Sequence, residues 1–221
     1  MTPSEALAQA RTLLLDFDGP ICAVFAGIPG SFIADQLRQI LADDSRTKLP
    51  EAVATSTDPF DVLNYASMLG ADEARYVEAA FTAHEVNAIT TATPTKGAHE
   101  LIRTWHASGR KIAIVSNNST LAIDAYLNFY KLHTSIDFVS ARTTADTTFL
   151  KPSPHLIYQA ISALSAAPED CVFIGDSTTD IDASSAAGIM SIGYANKLGK
   201  SETLAAAEVV IESMVDLIAT P

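Results

Sequence analysis

The sequence predicts an α/β fold, in which a doubly wound parallel sheet carries an inserted α-helical cap domain. Short apolar runs that end in turn residues alternate with amphipathic helical patterns along most of the chain. This alternation is typical of parallel strands joined by helical crossovers. The exception is a long interval between Asp18 and Pro94, which has helical periodicity and no convincing strand. We therefore expect a Rossmann-like core domain over residues 1–23 and 94–221, with a cap domain over residues 24–93.

Six apolar segments are expected to form the strands of the core. Short, right-handed crossovers between them would place the strands side by side in one parallel sheet. The expected strands are Leu13–Leu15, Lys111–Val115, Asp137–Ser140, Cys171–Ile174, Ile189–Ile192 and Glu208–Ile211.

Helical periodicity separates most of these segments and fills the inserted interval. Helices of the core are expected over 97–108, 121–130 and 156–164, with a closing helix over 214–219. Helices of the cap are expected over 32–41, 59–69 and 72–89. The segments at the two ends of the interval, 26–30 and 90–94, have the Gly, Pro and Thr content of linkers.

The overall charge argues against two classes of partner. The 221-residue chain has a formal net charge of -12, and it contains no run of basic residues. Nucleic acids and anionic membranes are bound by clustered Lys and Arg, so we expect neither as a partner. An anionic small molecule is compatible with this charge where a few cations or a metal ion reverse its sign locally.

The cysteines and the N-terminal region favour an intracellular protein. Cys22 and Cys171 have no CxxC spacing and are expected to be free, buried thiols. Glu5 and Arg11 accompany only a very short apolar run, which fits neither a signal peptide nor a membrane span. We expect a cytoplasmic location, and a monomer because the chain has no long heptad pattern.

Chemistry-bearing residues follow several of the apolar runs. Those at the carboxyl ends of expected strands are Asp16, Asp18, Ser116, Asn117 and Asp176. The carboxyl ends of strands in an open α/β sheet meet at the edge where ligands bind, so we expect these residues to converge. One lysine, which follows a Thr-rich loop, would add a cation to this anionic site.

Four motifs occur along the chain in a defined order. They are Asp16-Phe17-Asp18-Gly19, Ser116, Lys151 and the pair Gly175-Asp176. In residue type and order they resemble the haloacid dehalogenase-like superfamily, and the helical insertion after the first motif resembles the cap of its phosphoglycolate phosphatase-like branch. A single Asp-x-Asp-Gly motif is a weak signal, whereas four motifs in order, over nearly all the chain, are a specific one.

The resemblance implies a phosphatase that hydrolyses small phosphorylated metabolites through an aspartyl-phosphate. Asp16 is the implied nucleophile, and Asp18 is the acid that protonates the leaving oxygen and later takes a proton from water. Mg2+ is the implied cofactor, with Asp16, the Asp18 carbonyl and Asp176 as its ligands. Dehalogenases of the superfamily lack an acid at the position of Asp18, so the resemblance favours phosphoryl transfer.

The remaining motif residues have implied roles around the phosphoryl group. Ser116, the backbone amide of Asn117 and Lys151 would bind its oxygens and balance developing charge. Asp180 would orient Lys151 or a metal-bound water. Pro20 departs from the family pattern, which has Thr or Val there, and leaves the geometry of the flap after the first motif open.

Each motif also has a structural alternative. Ser116 and Asn117 could belong to the N-cap of the following helix, and Lys151 could be an ordinary surface lysine. Asp16 and Asp18 could be acids that cap a turn at the end of a strand. Two functional alternatives stay open as well: a phosphomutase with the same nucleophile, and a non-catalytic protein that binds a phosphorylated metabolite.

Two further polar segments resemble binding sites for anionic groups. Arg46 and Lys48, in the polar stretch 43–48, are candidates to bind an anionic leaving group. The stretch Gly193–Ser201 imitates a nucleotide-binding P-loop, but its spacing is one residue too long for GxxxxGK[ST]. It is interpreted as an ordinary loop.

Overall fold

The computed structural model describes residues 2–44 and 49–218, and it begins with a short helix, α1 (Pro3–Gln9). The sequence analysis did not predict this helix. The Thr2 side chain accepts a hydrogen bond from the Glu5 amide, and the Glu5 carboxylate accepts one from the Thr2 amide. This reciprocal pair is a capping box, which satisfies two amide groups at the start of the helix.

Strands and helices follow one another along the rest of the chain. Two strands come first, β1 (Thr12–Leu15) and β2 (Cys22–Ala23). Four helices follow, α2 (Gly30–Asp44), α3 (Glu51–Thr55), α4 (Pro59–Leu69) and α5 (Ala71–Ala88). The later elements are β3 (Thr93–Pro94), α6 (Ala98–Ala107), β4 (Lys111–Ser119), α7 (Thr120–Phe129), β5 (Phe138–Arg142), α8 (His155–Leu164), β6 (Cys171–Gly175), α9 (Thr178–Ala187), β7 (Met190–Tyr194), α10 (Lys200–Thr203) and β8 (Val209–Ile211).

Six strands form one parallel sheet in the order β5-β4-β1-β6-β7-β8. β1 lies near its centre, where Leu13 is in register with Ile112 of β4 and Val172 of β6. The chain builds the sheet outward from β1 on one side and then on the other, which is a doubly wound arrangement. The predicted fold class is confirmed, and the carboxyl ends of β1, β4 and β6 lie side by side.

Both faces of the central strand are buried. Leu13 and Leu15 pack in one apolar cluster with Trp105 of α6 and Tyr126 of α7. Leu14 packs in a second cluster, which contains Ile157 of α8. Side chains alternate between the faces of a strand, so an uninterrupted apolar run is what burial on both faces requires. Each fully buried side chain of this size stabilises the fold by about 1.5–3 kcal/mol.

A two-stranded ribbon connects the helical segment to the sheet. Cys22 pairs with Pro94, and Ala23 pairs with Thr93, in antiparallel register. The expectation of no strand between Asp18 and Pro94 is therefore wrong at the ends of this interval, because strands of two residues give no periodicity signal. The boundaries of the cap domain stay a prediction.

Several elements differ from the predicted ones in extent or in type. β4 continues beyond its apolar run to Ser119, and its register against β5 shifts between Ser116 and Ser119. The expected closing helix over 214–219 is wrong: a single 3-10 turn, Met214–Leu217, forms there, and the Ser213 side chain caps it. Met214 and Leu217, the end residues of this turn, are buried. A single turn is therefore enough to place both apolar side chains in the core. The short helices α3 and α10 were not expected, and the interpretation of residues 193–201 as a loop is wrong at both ends, where β7 and α10 lie.

An ion cluster joins α5 to the sheet. Arg142, at the end of β5, lies 2.5 Å from the Glu85 carboxylate and 2.5 Å from the Glu78 carboxylate, both on α5. The side chains of Arg142 and Glu85 are 1% and 0% exposed. Arg142 Nε also donates to the Asn117 carbonyl at 3.1 Å, and Glu85 accepts from the Asn118 side chain at 3.0 Å. We call Arg142, Glu78 and Glu85 the Arg142 cluster.

Two simpler predictions can be compared with the structure. Cys22 and Cys171 are free and buried, as expected. Among the helices of the described residues, none combines the length and the apolar character needed to cross a membrane.

Candidate active site

A cavity of about 430 Å³ opens at the carboxyl edge of the sheet. It lies where β1, β4 and β6 end, so residues that are distant in sequence meet there. Its lining includes all seven predicted site residues: Asp16, Asp18, Ser116, Asn117, Lys151, Asp176 and Asp180. The structure therefore brings the predicted site residues to one place.

The Lys151 ammonium contacts two carboxylates. Its Nζ lies 2.8 Å from Asp16 Oδ1 and 2.5 Å from Asp180 Oδ1, and it donates to the Val115 carbonyl at 3.1 Å. Lys151 is 6% exposed, so the alternative of a surface lysine is wrong. Burial by itself would lower the pKa of Lys151, but the Asp16 and Asp180 carboxylates raise it above its ordinary value. The side chain is a cation at neutral pH.

Asn117 holds the backbone of Lys151 through its side chain. Its Oδ1 accepts from the Lys151 amide at 2.8 Å, and its Nδ2 donates to the Lys151 carbonyl at 3.1 Å. Sequence reasoning considered only the backbone amide of Asn117 and missed this contact. Neither Ser116 nor Asn117 caps the next helix, because Ser119 is the N-cap of α7 and accepts from the Ala122 amide.

Asp180 is fully buried and uses both carboxylate oxygens to fix its neighbours. Its Oδ1 accepts from Lys151, and its Oδ2 accepts from the Asp176 amide at 3.0 Å and the Ser177 amide at 3.0 Å. A Cβ at Gly175 would lie 2.3 Å from the Asp180 Cβ, so glycine at this position admits the carboxylate. Asp180 thus orders Lys151 and the end of β6 together.

Burial perturbs the two carboxylates after β1. Burial, together with the Asp180 carboxylate and against the opposing effect of Lys151, raises the pKa of Asp16 to about 7. Burial also raises the pKa of Asp18 to about 6, although the hydrogen bond that Asp18 Oδ1 accepts from the Val24 amide at 2.8 Å opposes this. Carboxyl groups with such pKa values can gain and lose protons near neutral pH.

Carboxylates around Asp176 form a group that can hold a cation. Asp16, Asp176 and Asp180 each offer an oxygen within 4.8 Å of the others. Asn196 Nδ2 donates to Asp176 Oδ2 at 2.8 Å, but Asn196 Oδ1 is buried and has no partner among the described residues. A buried acceptor without a partner in the chain is completed by a water or an ion from outside it. The oxygen-rich donor set and this acceptor fit Mg2+.

The turn that follows β1 accommodates Pro20. The Phe17 carbonyl accepts from the Ile21 and Cys22 amides, and the Gly19 amide donates to the Cys22 carbonyl at 2.7 Å. None of these bonds requires an amide hydrogen at Pro20, which has none. The departure from the family pattern is therefore compatible with a closed turn.

Comparisons with known proteins agree with this geometry. The family model described as haloacid dehalogenase-like hydrolase matches residues 49–194, more than half of the chain. The chain belongs to this family. The resemblance drawn from its motifs is confirmed, although the matched range begins after Asp16 and Asp18.

Curated relatives of this haloacid dehalogenase-like hydrolase match it over part of their length. The chain is 29% identical over 127 residues to pyrophosphatase PpaX from Halalkalibacterium halodurans, which covers 57% of this chain and 58% of that protein. It is 31% identical over 115 residues to phosphoglycolate phosphatase from Salmonella paratyphi A, which covers 51% and 45%. The chain thus spans about half the length of the curated relatives it matches.

A solved structure extends the likeness to the whole fold of this chain. The crystal structure of CbbY from Rhodobacter sphaeroides in complex with phosphate matches with a TM-score of 0.68. It covers 94% of this chain and 96% of that chain at 18% sequence identity. At this identity the likeness concerns the fold.

Residues of α4 and of the turn before it also line the cavity. They are Asp58, Phe60, Asp61 and Asn64. The sequence analysis predicted only cationic residues of the cap as substrate contacts, so it did not include these four. The helical pattern of α4 does not by itself show which face of the helix meets the cavity. Arg46 and Lys48, the predicted contacts of a leaving group, lie outside the described residues.

Replacing Gly19 by Ala is expected to lower the kcat/KM of a reaction catalysed in this cavity by about a hundredfold, because small displacements of reacting groups have effects of this size. Gly19 has a φ of +107°, and a Cβ there would lie 2.4 Å from Asp176 Cγ, so the carboxylate must move. Gly109→Ala is the matched control, because Gly109 has a φ of +78° but nothing within 4 Å of the added Cβ. Equal losses in both variants would contradict the steric explanation.

The metal-free protein is expected to lose stability as the pH rises from about 4 to about 7. The pKa values of Asp16 and Asp18 are raised to about 7 and about 6 in the fold, from the ordinary aspartate value of 3.8. The folded state therefore binds more protons than the unfolded state in this range, and stability falls as those protons leave. Urea unfolding in EDTA at several pH values measures this, and Asp16→Asn should flatten the dependence. A wild-type stability that rises over the same range would contradict it.

Proposed function

We propose that the chain is a Mg2+-dependent phosphatase that hydrolyses small-molecule phosphomonoesters through an aspartyl-phosphate intermediate. One observation carries the proposal. Asp16, at the end of the central strand, contacts the buried Lys151 at 2.8 Å and lines the same cavity as a second acid, Asp18. A carboxylate oriented by a fixed cation, with a proton donor beside it, supplies the nucleophile and the acid that two-step phosphoryl transfer requires.

Asp16 is the nucleophile in the first step. Its Oδ1 accepts from the Phe17 amide at 2.8 Å and contacts Lys151, so we assign the attack to Oδ2. A bond forms between this oxygen and phosphorus while the bond between phosphorus and the ester oxygen breaks. Asp18 gives its proton to the departing oxygen, which leaves as an alcohol.

Water releases the phosphoryl group in the second step. Asp18, now ionised, takes a proton from the attacking water as the oxygen of that water bonds to phosphorus. The bond between phosphorus and Asp16 breaks, inorganic phosphate leaves, and the Asp16 carboxylate is restored. The raised pKa of Asp18, about 6, suits a group that gives and regains a proton within one cycle.

Polar groups at the strand ends would bind the transferred phosphoryl group. Ser116 and the backbone amide of Asn117 would donate to its oxygens, and the Lys151 ammonium would balance their charge in the transition state. The ion pair to Asp180 and the two hydrogen bonds between the Asn117 side chain and the Lys151 backbone hold this lysine in place. Little reorganisation is then required during the reaction.

Asp16, the Asp18 carbonyl and Asp176 are the proposed ligands of Mg2+. When bound, the ion would neutralise the crowded carboxylates and the phosphoryl oxygens. Asp180 is better suited to positioning than to ligation, because both of its oxygens already accept hydrogen bonds.

The helical cap, proposed for residues 24–93, would cover the leaving group. Its closure would exclude bulk water from the cavity. The names of the relatives, pyrophosphatase and phosphoglycolate phosphatase, support a small phosphorylated metabolite as the substrate class. The lining of the cavity by α4 is in keeping with substrate selection by the cap.

The test is inorganic phosphate release from a panel of sugar phosphates, nucleotides, phosphoglycolate and an aryl phosphate. Each compound is incubated with the protein in Mg2+ and in EDTA. Release in Mg2+ that EDTA abolishes is the expected result. Chromatography of the same reactions for isomeric sugar phosphates detects a phosphomutase.

Two outcomes would overturn the proposal. Isomeric sugar phosphate without inorganic phosphate would indicate the mutase. Binding of phosphorylated compounds by the folded protein without turnover of any of them would indicate the non-catalytic alternative.

A further inference from the structure

The loop that follows β7 and the first residue of α10 both reach the carboxylate of Asp176. Asn196 Nδ2 donates to Asp176 Oδ2 at 2.8 Å, and Lys200 Nζ donates to the same oxygen at 2.6 Å. The ion pair is partly buried, with the Lys200 side chain 26% exposed and the Asp176 side chain 15% exposed. The stretch Gly193–Ser201, interpreted from sequence as an ordinary loop, therefore contributes two side chains to the candidate metal site.

Both contacts occupy the same oxygen of Asp176, Oδ2. With Oδ2 held by Asn196 and Lys200, the rotation of the carboxylate is fixed, and Oδ1 is the oxygen presented for ligation. The close approach of Gly19 to the same carboxylate limits its movement further. Groups that orient a ligand in this way typically strengthen metal binding.

Asn196 has a second property that points to a group outside the chain. Its Oδ1 is buried and has no partner among the described residues. The opposite amide orientation would turn Oδ1 toward the Asp176 carboxylate and remove the hydrogen bond, so the assigned orientation is the favourable one. The unpartnered Oδ1 of Asn196 thus lies close to Asp176, the candidate metal ligand.

The Lys200 ammonium disfavours the binding of a metal ion at this site. Its ammonium partly neutralises a cluster that contains Asp16, Asp176 and Asp180, which would otherwise repel one another. A divalent cation bound to the other oxygen of Asp176 is repelled by the ammonium. Lys200 therefore acts as an internal cation that stabilises the metal-free cluster and weakens binding of the ion.

We propose that Asn196 and Lys200 set the affinity of this site for divalent cations by opposite means. Asn196 strengthens binding by orienting Asp176, and Lys200 weakens it by competing for the charge of that carboxylate. The inference rests on the proposed function only in assigning a divalent cation to this site. Both are positioning residues, since each acts through Asp176.

Isothermal titration calorimetry of the metal-free protein with MgCl2 tests the proposal without any substrate. Asn196→Ala is expected to raise the Kd of Mg2+ by about tenfold or more, as losses of ligand-orienting groups do. Lys200→Met is expected to lower the Kd by about tenfold, because a unit charge near the ion is removed. The effect of Lys200→Met should shrink in high KCl, where the interaction is screened.

Lys131→Met is the matched control for loss of one positive charge. Lys131 is exposed and follows the end of α7, and its replacement should leave the Kd unchanged. Thermal unfolding of every variant verifies that it is folded. A change of the Kd in the same direction in Asn196→Ala and Lys200→Met would overturn the proposal, as would a Kd that neither change affects.

The two proposals fail in distinguishable ways. If Mg2+ affinity shifts as expected and no ester is hydrolysed, the phosphatase assignment fails and the role of Asn196 and Lys200 stands. If Mg2+-dependent phosphate release occurs and the Kd does not respond to either change, the phosphatase assignment stands and this inference fails.

Discussion

Asp16→Asn is expected to lower phosphate release by about ten-thousand-fold or more, as the loss of a nucleophile does in other hydrolases. The amide is a poor nucleophile and cannot form the acyl phosphate that the proposed first step requires. The change is nearly isosteric, so the contact with Lys151 can be retained. Initial rates of phosphate release at saturating Mg2+ and substrate measure the effect.

The control for Asp16→Asn is binding of a product that needs no chemistry. Inorganic phosphate should still bind to the variant, because Ser116, Asn117 and Lys151 are unchanged. Activity within tenfold of the wild type would exclude Asp16 as the nucleophile and favour direct attack of water on phosphorus.

Arg142→Met is expected to destabilise the fold by about 3–5 kcal/mol, because removing one partner of a buried ion pair leaves the other charge uncompensated. Glu85, 0% exposed, would retain its hydrogen bonds to the Asn118 side chain and the Ser119 amide but lose its only cation among the described residues. Urea unfolding gives the free-energy difference. Because Arg142 also donates to the Asn117 carbonyl, the variant should show a raised KM as well.

A second change in the Arg142 cluster distinguishes charge from packing. The double variant Arg142→Met with Glu85→Gln removes both charges of the fully buried pair and should recover part of the lost stability. Arg75→Met is the control: its ion pair with Asp72 is 68% and 75% exposed, and such pairs contribute about 0–1 kcal/mol. If the double variant is less stable than Arg142→Met, the uncompensated charge does not account for the loss.

The sequence predicted the sheet because its strands carry local signals. The run from Leu13 to Leu15 must be apolar on both faces, and two acids and a glycine follow it. A few neighbouring residues therefore predict both the strand and the candidate catalytic residues at its carboxyl end. The convergence of Asp16 with Asp176 then follows from the topology, because parallel strands present their carboxyl ends at one edge. The capping box of α1 was an equally local signal, and it was overlooked.

The contacts that escaped prediction join residues that share no local pattern. Arg142 meets Glu85 only because α5 crosses the ends of β4 and β5, and neither residue's neighbours encode that crossing. Asn196 and Lys200 were missed for a related reason: a loop with basic residues is most often solvated, and only the register of β7 beside β6 brings this one to Asp176. Tertiary placement, not composition, decides these cases.

The short ribbon of β2 and β3 has a consequence for how this fold can vary. Ala23 and Thr93 are paired neighbours in antiparallel strands, a separation that a turn of about two residues can close. The helical insertion therefore connects β2 and β3 in the same way as the loop of a β-hairpin connects its two strands. The insertion can therefore change in length, sequence or shape without altering the order of any strand, so the helical segment and the sheet are free to diversify at different rates.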